Sequence, residues 1–216
     1  MQHLEIKEEN EMAFVGLTNP YIAKLEDEKT MKYSGCFMCG KAIAMNITAN
    51  YNEGKLYANN KLAEYDIEFK DGSMTLGTDR LPIEAMPICF GHEVSDDKKE
   101  VIYKAQDSAN FVGVGFIVQE KIDGVRKNVA TIVYKTKFKE PANDYTTKGE
   151  NIEFKTPSVE GTIASISDGK WKITKVFDTE EEADKWLRTI LGDESLTPST
   201  PPTTSTIPAG TISYVG

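Results

Sequence analysis

The chain is 216 residues long and carries 34 acidic against 25 basic side chains, a formal net charge of −9. That length is enough for one sizeable core without disulfides or metal. The acidic balance argues against a protein that grips nucleic acid through its phosphates, which takes clustered lysine and arginine.

Taken in order, residues 1–9 show neither a basic start nor an apolar run, so no secretory signal is expected. No window approaches the 18 apolar residues of a membrane span. The three cysteines, Cys36, Cys39 and Cys89, fit a reducing compartment better than a disulfide framework. A cytosolic start is the expectation.

Strand signals follow at Ala42 to Ala49 and Lys55 to Ala58, with a turn at Glu53-Gly54. They continue at Ile67 to Phe69 and Met74 to Leu76, across a turn at Asp71-Gly72. A helix is expected over Pro82 to Cys89, opened by proline and stopped before Gly91. After a short strand at Val101 to Lys104 comes the clearest signal in the chain. The β-rich runs Phe111 to Val118 and Thr131 to Phe138 flank Lys121 to Arg126, whose Asp123-Gly124 pair marks a hairpin turn.

Ile152 to Thr156, Val159 to Ile166 and Lys170 to Phe177 read as further strands, the last two joined by a turn at Asp168-Gly169. A helix is predicted from Thr179 to Leu191, capped by Asp178 with Glu181 completing a capping box and ended by Gly192. Ala183, Trp186, Leu187, Ile190 and Leu191 recur at helical spacing and give it an apolar face. The predicted class is mainly β, with one or two flanking α-helices, over residues 1–194. Residues 195–216 carry no charge and are mostly Ser, Thr and Pro, a tail in which Thr211 to Val215 could add as an edge strand.

Chemistry is sparse. Cys36-Phe37-Met38-Cys39 has the spacing of a zinc knuckle or a redox pair, but no second knuckle follows and the run beyond it is β-like, so a structural role is favoured. His3 and His92 are the only histidines, and His92 beside Gly91 is expected to satisfy carbonyls at a helix end. Gly113-Val114-Gly115 lacks the third glycine and helix of a dinucleotide fingerprint and reads as relief of crowding in a strand. No catalytic residue, cofactor site or metal site is assigned, and the chain is read as not an enzyme.

An ordered set of landmarks then resembles the major tail proteins of long-tailed, non-contractile bacteriophages. They are Gly16-Leu17-Thr18-Asn19-Pro20-Tyr21, Gly40-Lys41-Ala42, Leu56 to Asp66, Thr75-Leu76-Gly77-Thr78-Asp79 and Phe90-Gly91-His92-Glu93, then Val112 to Phe116, Asp123 to Lys127, Lys148 to Gly161 and Phe177 to Ala183. The resemblance implies a β-sandwich or barrel-like tail tube body flanked by a helix. It also implies six copies closing into a ring, rings stacking into a tube, and DNA passing through the lumen without specific binding. The partners it implies are the chain itself and the tail terminator, distal tail and tape measure proteins, in a virion assembled in the host cytoplasm, with no membrane and no cofactor. The Ser/Thr/Pro end departs from relatives that stop after the acidic helix or carry an immunoglobulin-like domain.

Within that expectation, Asn59 to Asp71 is read as an extended hairpin or loop reaching the next ring, with Asn60, Leu62, Glu64, Tyr65 and Asp66 as assembly residues. Ile212 and Tyr214 in the tail are read as docking residues across a protomer or ring boundary. Strands Phe111 to Ile122 and Lys127 to Phe138 are placed on the bore, where acidic charge would repel DNA phosphates. Lys135, Lys137 and Lys139 fit that placement poorly and are expected to pair with acidic groups on neighbours. The competing readings are the inner tube of a contractile or type VI-like injection apparatus, a cytosolic β-sandwich ligand-binding module, and an enzyme using the Cys36 and Cys39 pair.

Overall fold

A computed structural model of the chain describes residues 14–58, 61–122, 124–142 and 156–196. Its strands are β1 (Phe14–Asp27), β2 (Lys32–Met38), β3 (Ala42–Ala58), β4 (Lys61–Thr78), β5 (Glu93–Val94), β6 (Val101–Ile102), β7 (Phe111–Ile122), β8 (Val125–Phe138), β9 (Ser158–Ile163) and β10 (Lys172–Phe177). One α-helix, α1 (Glu180–Ile190), follows them. The fold is mainly β with flanking helical elements.

Eight strands form one antiparallel sheet in the order β2-β1-β7-β8-β9-β4-β3, with β10 also paired to β8. Strand β8 serves two neighbours in turn. Residues Asn128 to Val133 pair with β10, and Thr136 to Phe138 pair with β9. The handover falls where the β7–β8 register slips, between Val112↔Thr136 and Val114↔Val133. An extra residue in one strand bends it, and here the bend separates β10 from the β9-β4-β3 half of the sheet.

Alternation along β1, β7 and β8 sends side chains into two separate cores. Ile22, Val112, Val114, Phe116, Val133 and Phe138 meet Met74 and Leu76 of β4 and Val159 and Ile163 of β9. Tyr21, Ala23, Ile117, Ala130, Ile132 and Tyr134 meet Ala183, Leu187 and Leu191 from the helical side. The central strands are therefore covered on both faces. Each large aliphatic side chain so buried contributes about 1.5–3 kcal/mol relative to exposure.

The paired glycines of β7 belong to the second packing. A Cβ on Gly113 would lie 2.5 Å from Tyr33 Cε1, and one on Gly115 would lie 2.9 Å from Leu191 Cδ1. Tyr33 cannot swing aside freely, because its hydroxyl donates to the Tyr134 carbonyl at 2.8 Å. Gly113→Ala should therefore cost about 1–3 kcal/mol through overpacking. A thermal melt checks it; an unchanged Tm would show that the ring relaxes without cost.

The expected β7–β8 hairpin is present and longer than the sequence suggests, and Gly124 at its turn has φ +79°. Gly169 (φ +83°) closes the turn expected before β10, donating its N–H to the Ile166 carbonyl at 2.8 Å. In α1 the cap is Thr179, whose Oγ1 accepts the Glu182 N–H at 3.3 Å, so the capping pair is one residue later than expected. Asp178 is instead engaged by Lys127. Glu180, Glu181 and Glu182 in the first turn suit the positive end of the helix dipole.

Other expectations need correction. Glu53-Gly54 and Asp71-Gly72 are not turns but lie inside two long strands, β3 and β4. Asp71-Gly72 sits beside a bulge: Asn50 faces Asp71 and Tyr51 faces Phe69, which leaves Lys70 unpaired. Glycine is needed at 72 for close approach, since a Cβ there would lie 3.0 Å from the Thr48 carbonyl oxygen and 3.2 Å from Ile163 Cβ.

The first expected helix is a π-helical turn, Met86–Phe90, ended by Gly91 at φ +76°. Pro87 stands in its first turn, where the missing N–H has no intrahelical partner to lose. The strand at 101–104 is only two residues long, and residues 152–155 of another expected strand lie outside the described residues. Strands β1 and β2 were not anticipated. Asn19 (φ +53°) and Pro20 break β1 at a register slip between Thr18 and Tyr21, and Gly35 (φ +62°) interrupts β2.

Candidate assembly interface

Strand β9 covers β4 only from Gly72 to Gly77. Beyond that row, among the described residues, the segments 50–58 and 61–71 pair with each other alone and form a two-stranded arm. Such a ribbon is marginally stable in water unless something packs on it. At its root Phe69 stacks on Trp171, ring centroids 5.0 Å apart and 4° from parallel, and Tyr51 meets Phe69 edge-on at 6.3 Å. Trp171 in turn packs against the first core, so aromatic contacts tie the arm to the body.

The register sorts the arm into two unlike faces. Tyr51↔Phe69, Glu53↔Ile67, Lys55↔Tyr65 and Tyr57↔Leu62 share one face. Its Tyr57, Leu62, Tyr51, Tyr65 and Ile67 are between 49% and 65% exposed. Lys55 binds Glu53 at 3.0 Å and lies over the Tyr65 ring, leaving the apolar row little charge of its own. The other face holds Asn52↔Glu68, Gly54↔Asp66 and Leu56↔Glu64, with Ala58↔Lys61 at its outer end. Its three carboxylates have no cation partner among the described residues; Asp66 Oδ1 accepts only the backbone N–H of Ile67.

The expected assembly residues thus divide. Leu62 and Tyr65 stand on the apolar face and Glu64 and Asp66 on the acidic face, while Asn60, Ile212 and Tyr214 lie outside the described residues. Sequence reasoning missed Tyr51, Tyr57 and Ile67 as members of the same surface. The usable signal was the alternation Tyr65, Ile67, Phe69. A second bulge hides its continuation, because Leu56 faces Glu64 but Tyr57 faces Leu62, with Ala63 unpaired between. That extra residue moves Leu62 onto the tyrosine face.

The bore assignment of the central hairpin has little free surface to draw on within the protomer. Residues 112–117 and 129–134 are buried between α1 on one side and β4 and β9 on the other, while the hairpin end, at Lys121, Val125 and Arg126, stands exposed. Lys135 is also accounted for inside the chain, bonding Glu28 at 2.6 Å.

The other singled-out groups have structural surroundings. Cys36, Cys39 and Cys89 are free thiols. Burial pushes Cys36 and Cys39 up to about 12, with nearby Asp193 and Asp79 adding to the effect. A reactive or metal-binding thiol needs the opposite shift. His92 is buried and its hydrogen-bond partner is a carboxylate rather than a carbonyl: Nδ1 lies 2.8 Å from Asp107 Oδ2, while Nε2, 3.5 Å from Glu140 Oε2, makes no hydrogen bond among the described residues. The His92 bond, with the Lys104 N–H, holds the Asp107 carboxyl below its ordinary value. No helix among the described residues is long and apolar enough to cross a membrane. Comparison with protein-family models and with curated proteins gives no match.

Proposed function

We propose that this chain is a structural subunit that assembles with copies of itself into rings and a stacked tube, as its resemblance to phage major tail proteins implies. The observation that carries the reading is the arm. Five large apolar side chains stand exposed on one face of a ribbon that has little to hold it flat in water. An exposed apolar row of this kind marks a surface that another molecule covers, and in a self-assembling subunit that molecule is a second copy. Six-fold rings, a DNA-conducting lumen, a virion location and contacts with terminator, distal tail and tape measure proteins belong to the same proposal.

The net charge of −9 suits it. A wall of acidic subunits repels phosphates and lets DNA pass without being held. Sedimentation velocity over a wide concentration range tests the proposal. Growth from monomer into species of very large mass, without added ligand, is the expected result. A monomer at every concentration, with a melting temperature that rises on adding a small ligand, would point to a binding module instead.

A further inference from the structure

The acidic face of the arm is a second unpartnered surface, distinct from the apolar one. Glu64, Asp66 and Glu68 follow one another at alternate positions of one strand, about 7 Å apart at the usual rise, with no lysine or arginine across from them. Held so, they repel one another. The opposite situation occurs at the end of the β7–β8 hairpin. Lys121 and Arg126 are direct cross-strand partners, and among the paired residues of the described strands theirs is the one pair that sets cation against cation. Like charges placed opposite each other destabilise a hairpin. The neighbours on their face are the neutral Gln119 and Asn128, and neither cation has a carboxylate partner among the described residues. Lys127, by contrast, is committed to Asp178.

We propose that the acidic face of one copy's arm seats against Lys121 and Arg126 at the hairpin end of a second copy, side by side in the ring. This rests on the assembly reading and names the contact. Two features select a second copy as the occupant. The charge sets are complementary, and each is unfavourable until the other neutralises it. The topology also fits: β4 and β8 are both antiparallel to β9, so they run in the same direction and both hairpins end on the same side of the sheet. Copies set side by side in one orientation bring the arm of one beside the hairpin end of the next. The apolar face of the arm stays available for the neighbouring ring.

Two variants test this, Glu64→Lys/Asp66→Lys/Glu68→Lys on the arm and Lys121→Glu/Arg126→Glu on the hairpin. All five positions are exposed, so each variant should melt close to the parent chain. Each alone should need at least about a hundredfold more protein to assemble, because like charges then meet at every contact. A one-to-one mixture should recover assembly, since the basic arm of one variant meets the acidic hairpin end of the other. Sedimentation and electron microscopy read the result. Parent tubes with no recovery in the mixture, or with single variants that assemble as the parent does, would overturn the contact and leave the assembly reading standing. A parent chain that never assembles would overturn both.

Discussion

Replacing Tyr57, Leu62 and Tyr65 together by serine should abolish assembly while leaving a folded monomer. The three side chains are exposed in the protomer, so their loss removes almost nothing from either core. If a neighbouring copy covers them, each contributes about 1.5–3 kcal/mol to the contact. Losing even about 4 kcal/mol per contact raises the concentration needed for assembly roughly a thousandfold. Circular dichroism and a melt would confirm the fold, and sedimentation would report assembly. Large assemblies formed at the parent concentration would mean that the apolar face is not the contact surface. Removing residues 60–66 altogether should give the same phenotype.

Leu187→Ala should have the largest effect on the monomer. Leu187 is fully buried between α1 and the sheet, and its Cδ2 would lie 3.2 Å from a Cβ on Gly115. The cavity it leaves should cost about 3–5 kcal/mol, since the sheet beneath cannot close around it. That is a large share of a typical domain's stability, so a two-state denaturant titration should show a clearly lower midpoint. The two experiments separate two roles. On the proposed reading the helix face holds the protomer together, whereas the arm acts between protomers. A Leu187→Ala chain that melts like the parent would mean that the helix is only loosely attached.

What could be read from the residues follows from how local each signal is. The β7–β8 hairpin was legible because Asp123-Gly124 stands between two β-branched runs. Helix α1 was legible because its apolar residues keep the helical period and acidic residues crowd its first turn. The glycine pair at 113 and 115 was read as relief of crowding, and Tyr33, Leu187 and Leu191 are what crowd it.

Residues 59–71 read as a hairpin or loop of their own, whereas 61–71 are one strand of the arm and pair with 50–58, and the faces of the arm were not legible. Glu53-Gly54 and Asp71-Gly72 look like turns, and nothing within either pair shows that each has a cross-strand partner instead. The bulges at Lys70 and Ala63 then change the phase of the alternation, so membership of a face depends on the opposite strand rather than on spacing. The same non-local dependence limits how much of the central hairpin a bore could use: its end is exposed in the protomer and its middle is buried. How far the two strands are covered is decided by α1 on one side and by β4 and β9 on the other.

Negative-stain electron microscopy of the purified full-length chain at high concentration tests the central claim most directly. Hollow tubes of uniform width with a regular axial repeat are the expected result. Isolated particles of monomer size, from protein whose circular dichroism and melt show it to be folded, would contradict it.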